Sequence, residues 1–436
     1  MDYTLSDLED WDARICSIAK GHGLDWFDIE YEFIDYYSMI GAMAFHGLPS
    51  HFNHWSFGKS FERTHHMYNV GMEGLPYELI INSNPSIAYM MRENPLYLQV
   101  LIMAHCVGHS DFFKNNRMFK GTRPETIIGR CRAAKKRFQD YVENPTVGIE
   151  KVEEVIDACH AVQFQVQKPS AIRKTRQEII DEHNEKMKRD PDLHELDTSK
   201  IVLEPDYDIL RFISENANRL PNWKRDVIDV CQDEGKYFWP QLMTKIMNEG
   251  WASYWHYTIL HELELPPELH VAFIKSHNQV IRPHIGGINP YHLGFHLFQR
   301  IKERMGLEEC FIAREVHNDA SFLRQYLTQE DCEELNLFSY SSKSHGTSVD
   351  DVSDEEGWEK VKDDLVKQVG GGAIPVLRVD DIRRDGVLVL GHEHDGRDLD
   401  IAETQATLQH VAKLWGNDVV LNTMLDGKYH KLTSDV

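Results

Sequence analysis

The sequence lacks a secretory leader, a long hydrophobic run and any closely spaced cysteine pair. It begins MDYTLSDLEDWDARI, an acidic stretch, whereas a secretory signal needs a basic start followed by an apolar segment. The longest apolar candidate, around 97–106, is far shorter than the roughly 18–20 residues that a membrane helix needs. The 7 cysteines are odd in number and form no CxxC, which is typical of free thiols in a reducing compartment. We therefore expect a cytoplasmic protein with no membrane insertion.

Positive charge is also scarce. The chain carries 47 Lys and Arg against 70 Asp and Glu, which gives a formal net charge of −23. This balance opposes binding to nucleic acid phosphates and to anionic membrane surfaces. Hydrophobic residues, in contrast, make up 42% of the 436 residues, enough to cover a substantial core. We expect a folded acidic protein with no nucleic acid partner.

The hydrophobic pattern predicts an α+β chain that is mainly α. We predict a mainly helical domain over 1–338, a linker rich in Ser, Asp and Glu over 339–357, and an α/β module over 358–436. Within that module the pattern predicts the order ββαββ, with the last strand short. Residues 168–200 are dense in charge and have almost no apolar anchors, which indicates a solvated insertion.

A pair of histidines, His105 and His109, lies in the most apolar predicted helix, over 96–114. Histidines four residues apart project from one helix face, where one metal ion can bind both. In HExxH metalloproteases a glutamate follows the first histidine and acts as the general base, and here that position holds Cys106. Two hydrogen-bonded core histidines would produce the same pattern.

A third metal ligand is predicted at Glu249, inside a later helical pattern. The next residue, Gly250, costs a helix ~1 kcal/mol relative to alanine, so close packing or a nearby ligand would explain it. His256 follows two turns further along the same face, where it could ligate the metal or orient a substrate, and it is a candidate catalytic residue. The alternative interpretation is that Glu249 is a buried carboxylate paired with Lys245.

Carboxylate–histidine pairs occur elsewhere at a spacing of three residues. Asp157 and His160 are predicted as outer partners of the metal site, with the carboxylate orienting an imidazole. Together with Glu62 and His65, which share the spacing, they also fit a dinuclear site in a helix bundle. Ordinary surface pairing gives the same spacing. The histidine-rich turn over 391–396, which includes His392, is predicted to be an exposed hairpin or loop rather than a metal site.

Substrate-binding candidates occur in two places. His54 and Lys59 belong to the segment 54–62, whose mixed aromatic and charged composition is typical of a functional loop and equally of a loop that plugs a core. Lys114 and Asn115 close the histidine helix, where the lysine could reach a substrate carboxylate. A C-terminal helix cap is the alternative for that pair.

Seven segments together resemble the SpoVR family, named for a stage V sporulation protein. They are HWSFGKSFE (54–62), GLPYELIINSNPSIAYMM (74–91), AHCVGHSDFFKNN (104–116), TKIMNEGWASYWHYTIL (244–260), NPYHLGF (289–295), LGHEHDGRDLD (390–400) and LWGNDVVLNTMLDG (414–427). The resemblance implies a cytoplasmic protein tied to stress or sporulation, often found beside a kinase-like AAA+ protein and a von Willebrand-type protein. The order His-x-x-x-His then Glu-Gly-Trp-Ala is also similar to the ligand layout of glutamate-zinc metallopeptidases, which implies a zincin-like metal cleft.

Two functions are consistent with these patterns. The first is a metal-dependent hydrolase of peptide or amide bonds, with zinc held by His105, His109 and Glu249. Glu78 is then the candidate base, because Cys106 cannot fill that role. The second is a non-catalytic regulatory partner in a kinase-associated stress complex, with a structural or vestigial metal site.

Overall fold

The computed structural model describes residues 3–434, apart from 73, 167–174, 190–193, 285–286, 344–345, 353 and 355–356. Most of the described chain is helical, as predicted. The helices are α1 Leu5–Gly21, α2 Tyr36–Ala44, α3 Trp55–Asn69, α4 Leu96–Asn115, α5 Ile127–Glu143, α6 Ile149–His160, α7 Arg176–Arg189, α8 Ile209–Asn216, α9 Asn222–Met243, α10 Lys245–Glu262, α11 Pro267–Val280, α12 Pro290–Met305, α13 Leu307–Val316, α14 Asp319–Tyr326, α15 Gln329–Glu334, α16 Trp358–Gln368 and α17 Ile401–Trp415, with 3-10 turns at Arg117–Gly121 and Gly370–Ala373. The strands are β1 Ile29–Ile34, β2 Glu78–Ile81, β3 Ser86–Met91, β4 Phe338–Lys343, β5 Gly346–Val352, β6 Leu377–Ile382, β7 Leu388–His392, β8 Val419–Leu425 and β9 Lys428–Thr433.

The chain divides into two compact units. The first comprises Met1–Lys135 and Pro240–Ala373, and the second comprises Lys136–Trp239 and Ile374–Val436. Strands β6 to β9 thus belong to the same compact unit as residues 136–239. The predicted domain limits, 1–338 and 358–436, concern independent folding and stay a prediction.

Helix α4 lies at the centre of the first unit. Every residue from Leu98 to Phe113 is buried, including His105 and His109. The helix packs against α1, α10 and α11, and α10 in turn packs against α12. The apolar segment around 97–106, which is too short to span a membrane, therefore belongs to α4, the core helix of the first unit. Among the helices that the structure describes, none is long and apolar enough to span a bilayer.

Two very close backbone approaches fix how these helices pack. A Cβ atom on Gly108 of α4 would lie 2.7 Å from the Cα atom of Ala252 in α10. A Cβ atom on Gly250 of α10 would lie 2.4 Å from the backbone of Gly294 in α12. Close packing, one of the two predicted reasons for Gly250, is thus confirmed.

The first turn of α10 is anchored by a buried carboxylate. The two oxygens of Asp319 accept hydrogen bonds from the backbone N–H groups of Ile246 and Met247, each at 2.9 Å. The start of α10 has no side-chain cap of its own at Thr244. The Asp319 carboxylate therefore satisfies amide groups that would otherwise be buried without partners.

A three-stranded sheet in the first unit carries Glu78. The strand order is β1-β3-β2, with β1 parallel and β2 antiparallel to β3. Glu78 begins β2 and pairs with Met90, so its position is fixed by the sheet ladder. The segment 54–62, predicted as a loop, was predicted wrongly. It forms the start of α3, because His54 caps the helix by accepting the backbone N–H of Ser56.

The second unit contains the predicted ββαββ module, with the sheet order β6-β7-β8-β9. Strands β7 and β8 run parallel, connected by α17, and the outer pairs are antiparallel. Helix α17 packs on α6, and Asp206 forms a bridge with Val379 of β6. The ββαββ prediction is confirmed.

The predicted linker 339–357 contains more structure than its composition indicates. Strands β4 and β5 pair antiparallel over most of it, and residues 344–345, 353 and 355–356 lie outside the described part. Ladder hydrogen bonds are made by the main chain, so a Ser- and Asp-rich sequence does not prevent them. Strands β4 and β5 thus lie within the predicted linker, and its role in joining two separate domains stays a prediction.

We predict that deleting residues 170–198, within the proposed insertion, leaves the urea midpoint of unfolding essentially unchanged. No residue of α7 is buried, and the remaining residues of this span that lie in the described part are mostly exposed, so little apolar contact is lost. Deleting α6 instead, which buries Val152, Val155 and Ile156, should leave the chain insoluble. Insoluble protein from the 170–198 deletion would show that the segment is part of the core.

We also predict that Gly108→Ala lowers the free energy of unfolding by ~1–3 kcal/mol, since α4 and α10 must separate to admit the methyl group. The matched control is Gly41→Ala in α2, where nothing lies within 4 Å of the new Cβ. That control should stabilise the helix by up to ~1 kcal/mol. Urea titration of both variants measures the difference, and equal effects would contradict the close packing.

Candidate metal centre

Two imidazoles on α4 face each other at the centre of the site. His105 Nε2 and His109 Nε2 are 2.9 Å apart, and both side chains are almost completely buried. The outer nitrogen of His109, Nδ1, lies 2.8 Å from the Oδ1 atom of Asn248. An amide oxygen only accepts hydrogen bonds, so Nδ1 of His109 carries hydrogen. In the neutral imidazole, Nε2 then has a lone pair directed into the site.

Two carboxylates from other elements approach the same pair of nitrogens. Glu249 of α10 places its Oε2 atom 3.5 Å from His109 Nε2 and 3.8 Å from His105 Nε2. Glu78 of β2 places its Oε1 atom 3.7 Å from His105 Nε2. Ligand atoms of Glu78, His105 and His109 all lie within 4.8 Å of one another. The site therefore combines α4, α10 and β2, which are distant in sequence.

These separations can be compared with the geometry of a bound ion. Donor atoms about 2.1 Å from one ion lie about 3.4 Å apart at tetrahedral angles and about 3.0 Å apart at octahedral angles. The distances of 2.9, 3.5 and 3.8 Å among His105, His109 and Glu249 bracket these values. Oε2 of Glu249 is moreover buried without a hydrogen-bond partner. The side chains present fit a divalent cation, and the fit does not select one metal.

The two carboxyl groups are in electrostatically different positions. Burial alone would raise the pKa of Glu249, but the approach of His105 and His109 outweighs burial and lowers this pKa. Burial raises the pKa of Glu78, and the two imidazoles offset that effect only in part. Burial would lower the pKa of His109, but the Glu249 carboxylate reverses the shift and raises it. Glu249 is therefore the carboxylate more strongly held in its ionised form.

Sequence reasoning missed two residues of this site. Asn248 fixes the tautomer of His109, and it adjoins Glu249 in the sequence. Tyr291, in the first turn of α12, stacks near His105 with ring centroids 6.2 Å apart. The pKa of the Tyr291 phenol is raised, mainly by the negative charge of Glu249 and to a lesser extent by burial. The Asn289-Pro290 start signal for α12 was available, but only the fold brings that turn to the histidines.

The outer nitrogen of His105, Nδ1, contacts a residue for which the sequence predicted a different role. His256 Nδ1 lies 2.9 Å from His105 Nδ1, so His256 belongs to the site, although it lies behind the imidazole. His256 and Asn248 occupy the outer positions for which Asp157 and His160 were predicted. Asp157 and His160 lie at the end of α6, and their role beside the metal site stays a prediction.

The four predicted substrate-binding residues have other contacts. His54 is a buried helix cap, as described above, and Lys59 lies over the ring of Trp55 on α3. Lys114 pairs with the Asp25 carboxylate, and Asn115 donates to the backbone carbonyl of Asp25 at 2.7 Å. Asn115 also donates to the backbone carbonyl of Asp111 at 2.6 Å, in keeping with the alternative of a C-terminal helix cap, and substrate binding by the four residues stays a prediction.

The remaining histidine motifs make local contacts. His65 Nε2 lies 3.1 Å from the side-chain amide nitrogen of Asn69, one turn along α3, and Glu62 is exposed. His392 Nδ1 lies 2.9 Å from the hydroxyl of Thr423 in the neighbouring strand β8. These contacts give no support to the dinuclear interpretation. His392 ends strand β7, and the residues that follow it, 393–396, form a loop.

Comparison with known proteins places the whole chain in one family. The family described as SpoVR like protein matches residues 2–374, and the family described as SpoVR-like C-terminal domain matches residues 373–426. A relative from Escherichia coli (strain K12), "Uncharacterized protein YcgB", is 32% identical over 96% of this chain and 92% of its own length. No solved structure matches the chain. With both family matches together spanning nearly every residue, the chain belongs to the SpoVR family.

Proposed function

We propose that the chain is a metal-dependent hydrolase of peptide or amide bonds with a zincin-like site. The observation that carries this proposal is the buried Oε2 atom of Glu249, which lacks a hydrogen-bond partner beside the Nε2 atoms of His105 and His109. An unsatisfied buried polar group costs ~1–3 kcal/mol, and more when it is charged. A cation bound between the three side chains would remove that cost. Two imidazoles and a carboxylate are the protein ligands of catalytic zinc in thermolysin-type hydrolases.

The other residues of the site have roles consistent with hydrolysis. A zinc ion held by His105, His109 and Glu249 would supply Lewis acidity, which polarises a carbonyl group and acidifies water. Glu78 faces the same nitrogens from β2 and is the group we assign as general base, accepting the proton of the attacking water. The Tyr291 phenol is assigned to donate a hydrogen bond to the oxygen on which negative charge develops. In this proposal Glu78 takes the role of the glutamate that follows the first histidine in HExxH metalloproteases, since Cys106 holds that position here.

Exposure indicates the side from which a substrate would enter. The side chains of His105 and His109 are 4% and 6% exposed, whereas those of Glu78 and Glu249 are 16% and 18% exposed. The carboxylate side is thus nearer to solvent than the imidazole side. A substrate carbonyl approaching past Glu78 and Glu249 would meet the assigned base before it met α4.

The wider context is proposed from the family resemblance. We propose a cytoplasmic, stress-related role, and all 7 cysteines are free thiols, which is in keeping with a reducing compartment. Association with a kinase-like AAA+ protein and a von Willebrand-type protein stays a prediction. So does the alternative function, a non-catalytic regulatory partner in such a complex.

We predict that His109→Ala abolishes retention of the metal through purification, because it removes a nitrogen ligand that lies 3.5 Å from Oε2 of Glu249. The loss of affinity should exceed the roughly 10–100-fold typical of changes in the outer shell. Metal content by mass spectrometry measures retention. The control His392→Ala, in a strand of the second unit, should keep the metal content of the wild type, and equal retention by both variants would contradict the site.

We predict that Glu78→Gln retains the metal but lowers the rate of hydrolysis by ~10²–10⁴-fold, since an amide cannot accept the proton. Incubation with a peptide library in ¹⁸O-water, followed by mass spectrometry, detects hydrolysis through labelled product carboxyls. Glu32→Gln, on the exposed face of strand β1, is the matched control and should behave as wild type. Metal loss from Glu78→Gln would instead make Glu78 a ligand, and an unlabelled product pool from wild type would refute the hydrolase.

A further inference from the structure

A chain of buried histidines leads away from the candidate metal centre. His105 Nδ1 lies 2.9 Å from His256 Nδ1, and His256 Nε2 lies 2.7 Å from His277 Nδ1. His256 and His277 are each 1% exposed, and they belong to α10 and α11. The first unit thus links three imidazoles through two hydrogen bonds, and none of them reaches solvent.

The two hydrogen bonds among His105, His256 and His277 can run in either of two directions. Only one of these directions leaves His105 Nε2 able to bind an ion. If His105 binds an ion through Nε2, its hydrogen must be on Nδ1, because a neutral imidazole carries only one. His105 then donates to His256 Nδ1, and His256 donates from Nε2 to His277 Nδ1. The hydrogen of His277 is left on its Nε2 atom. The opposite direction would put hydrogen on His105 Nε2 and exclude the ion.

The surroundings of His277, the last of the three histidines, are compatible with the same direction. His277 Nε2 is buried without a hydrogen-bond partner. Aromatic rings surround this imidazole, with centroids 4.8 Å away for Tyr257, 5.0 Å for Phe295 and 6.0 Å for Phe273. The negative face of an aromatic ring attracts an N–H group and repels a nitrogen lone pair. An Nε2–H on His277 is compatible with these aromatic surroundings, since a π face can accept an N–H group.

We propose that His256 and His277 are positioning residues that hold His105 in the tautomer able to bind a metal ion. The inference rests on the proposed metal site, and it adds the device that prepares His105 for the ion. His256 and His277 are each 1% exposed, and burial of this kind disfavours a charged imidazolium. Each imidazole of the chain can then serve as donor to the next without carrying charge.

Three variants test the positioning role, with zinc affinity measured by competition against a chromophoric chelator. His277→Leu removes the acceptor for His256 Nε2–H and should weaken zinc binding ~10–100-fold. His277→Asn supplies an amide oxygen in place of Nδ1 and should recover most of that loss. The control is His261→Leu on α10, whose imidazole contacts only the Tyr257 carbonyl of its own helix among the hydrogen bonds described, and it should bind zinc as wild type does.

The nitrogen-15 spectrum of histidine-labelled, zinc-loaded wild type gives an independent readout that does not depend on the variants folding. The expected result is a protonated Nε2 and a bare Nδ1 on His277. A protonated Nδ1 on His277, or unchanged zinc affinity in a folded His277→Leu variant, would overturn the positioning role.

Zinc binding that depends on His277 without any hydrolysis would leave this inference standing and refute the proposed activity. Wild type that binds no zinc would refute both.

Discussion

The contact between Nε2 of His105 and Nε2 of His109 is the constraint on which the rest of this site depends. Two imidazole nitrogens held 2.9 Å apart cannot both present bare lone pairs to each other, so a proton or a cation must lie between them. Asn248 holds the hydrogen of His109 on the opposite nitrogen, which leaves its Nε2 atom as an acceptor. The surrounding fold keeps this pair together in a dry interior. Glu249 and Glu78 add negative charge where a cation would be stabilised.

Backbone packing, more than side-chain chemistry, brings these groups together. Gly108 lies between the two histidines on α4 and allows α10 to approach within the distance that Glu249 needs. Gly250, next to Glu249, allows α12 to approach α10 from another side and brings Tyr291 to the site. A side chain at either glycine would separate helices whose interior is closely packed. The small residues of this region therefore serve the geometry of the site.

The sequence predicted the parts of the site that depend on local spacing. The four-residue interval of His105 and His109 and the glycine beside Glu249 pointed to the right helices, because helix periodicity is a local property. The ββαββ order of the second unit was predictable for the same reason. Tyr291 and His277 were not found, because nothing local distinguishes them from core aromatic residues. Their roles arise from contacts between elements far apart in the chain.

Failures of prediction have physical causes as well. The segment 54–62 looked like a loop because it mixes aromatic and charged residues, yet a histidine side chain caps a helix there. Strands β4 and β5 form in a segment with linker composition, because main-chain pairing does not need apolar side chains. His256 contacts the outer nitrogen of His105 through the packing of α10 on α4, a contact between distant elements that spacing along the chain does not predict.

The central claim is that His105, His109 and Glu249 hold one metal ion, and anomalous diffraction tests it most directly. Crystals should be grown from protein purified without added metal or chelator, with data collected above the absorption edge of the metal found in the sample. We expect one strong anomalous peak ~2.0–2.2 Å from both Nε2 atoms and from an oxygen of Glu249. A map with no peak between these side chains, or with its strongest metal peak elsewhere, would contradict the account.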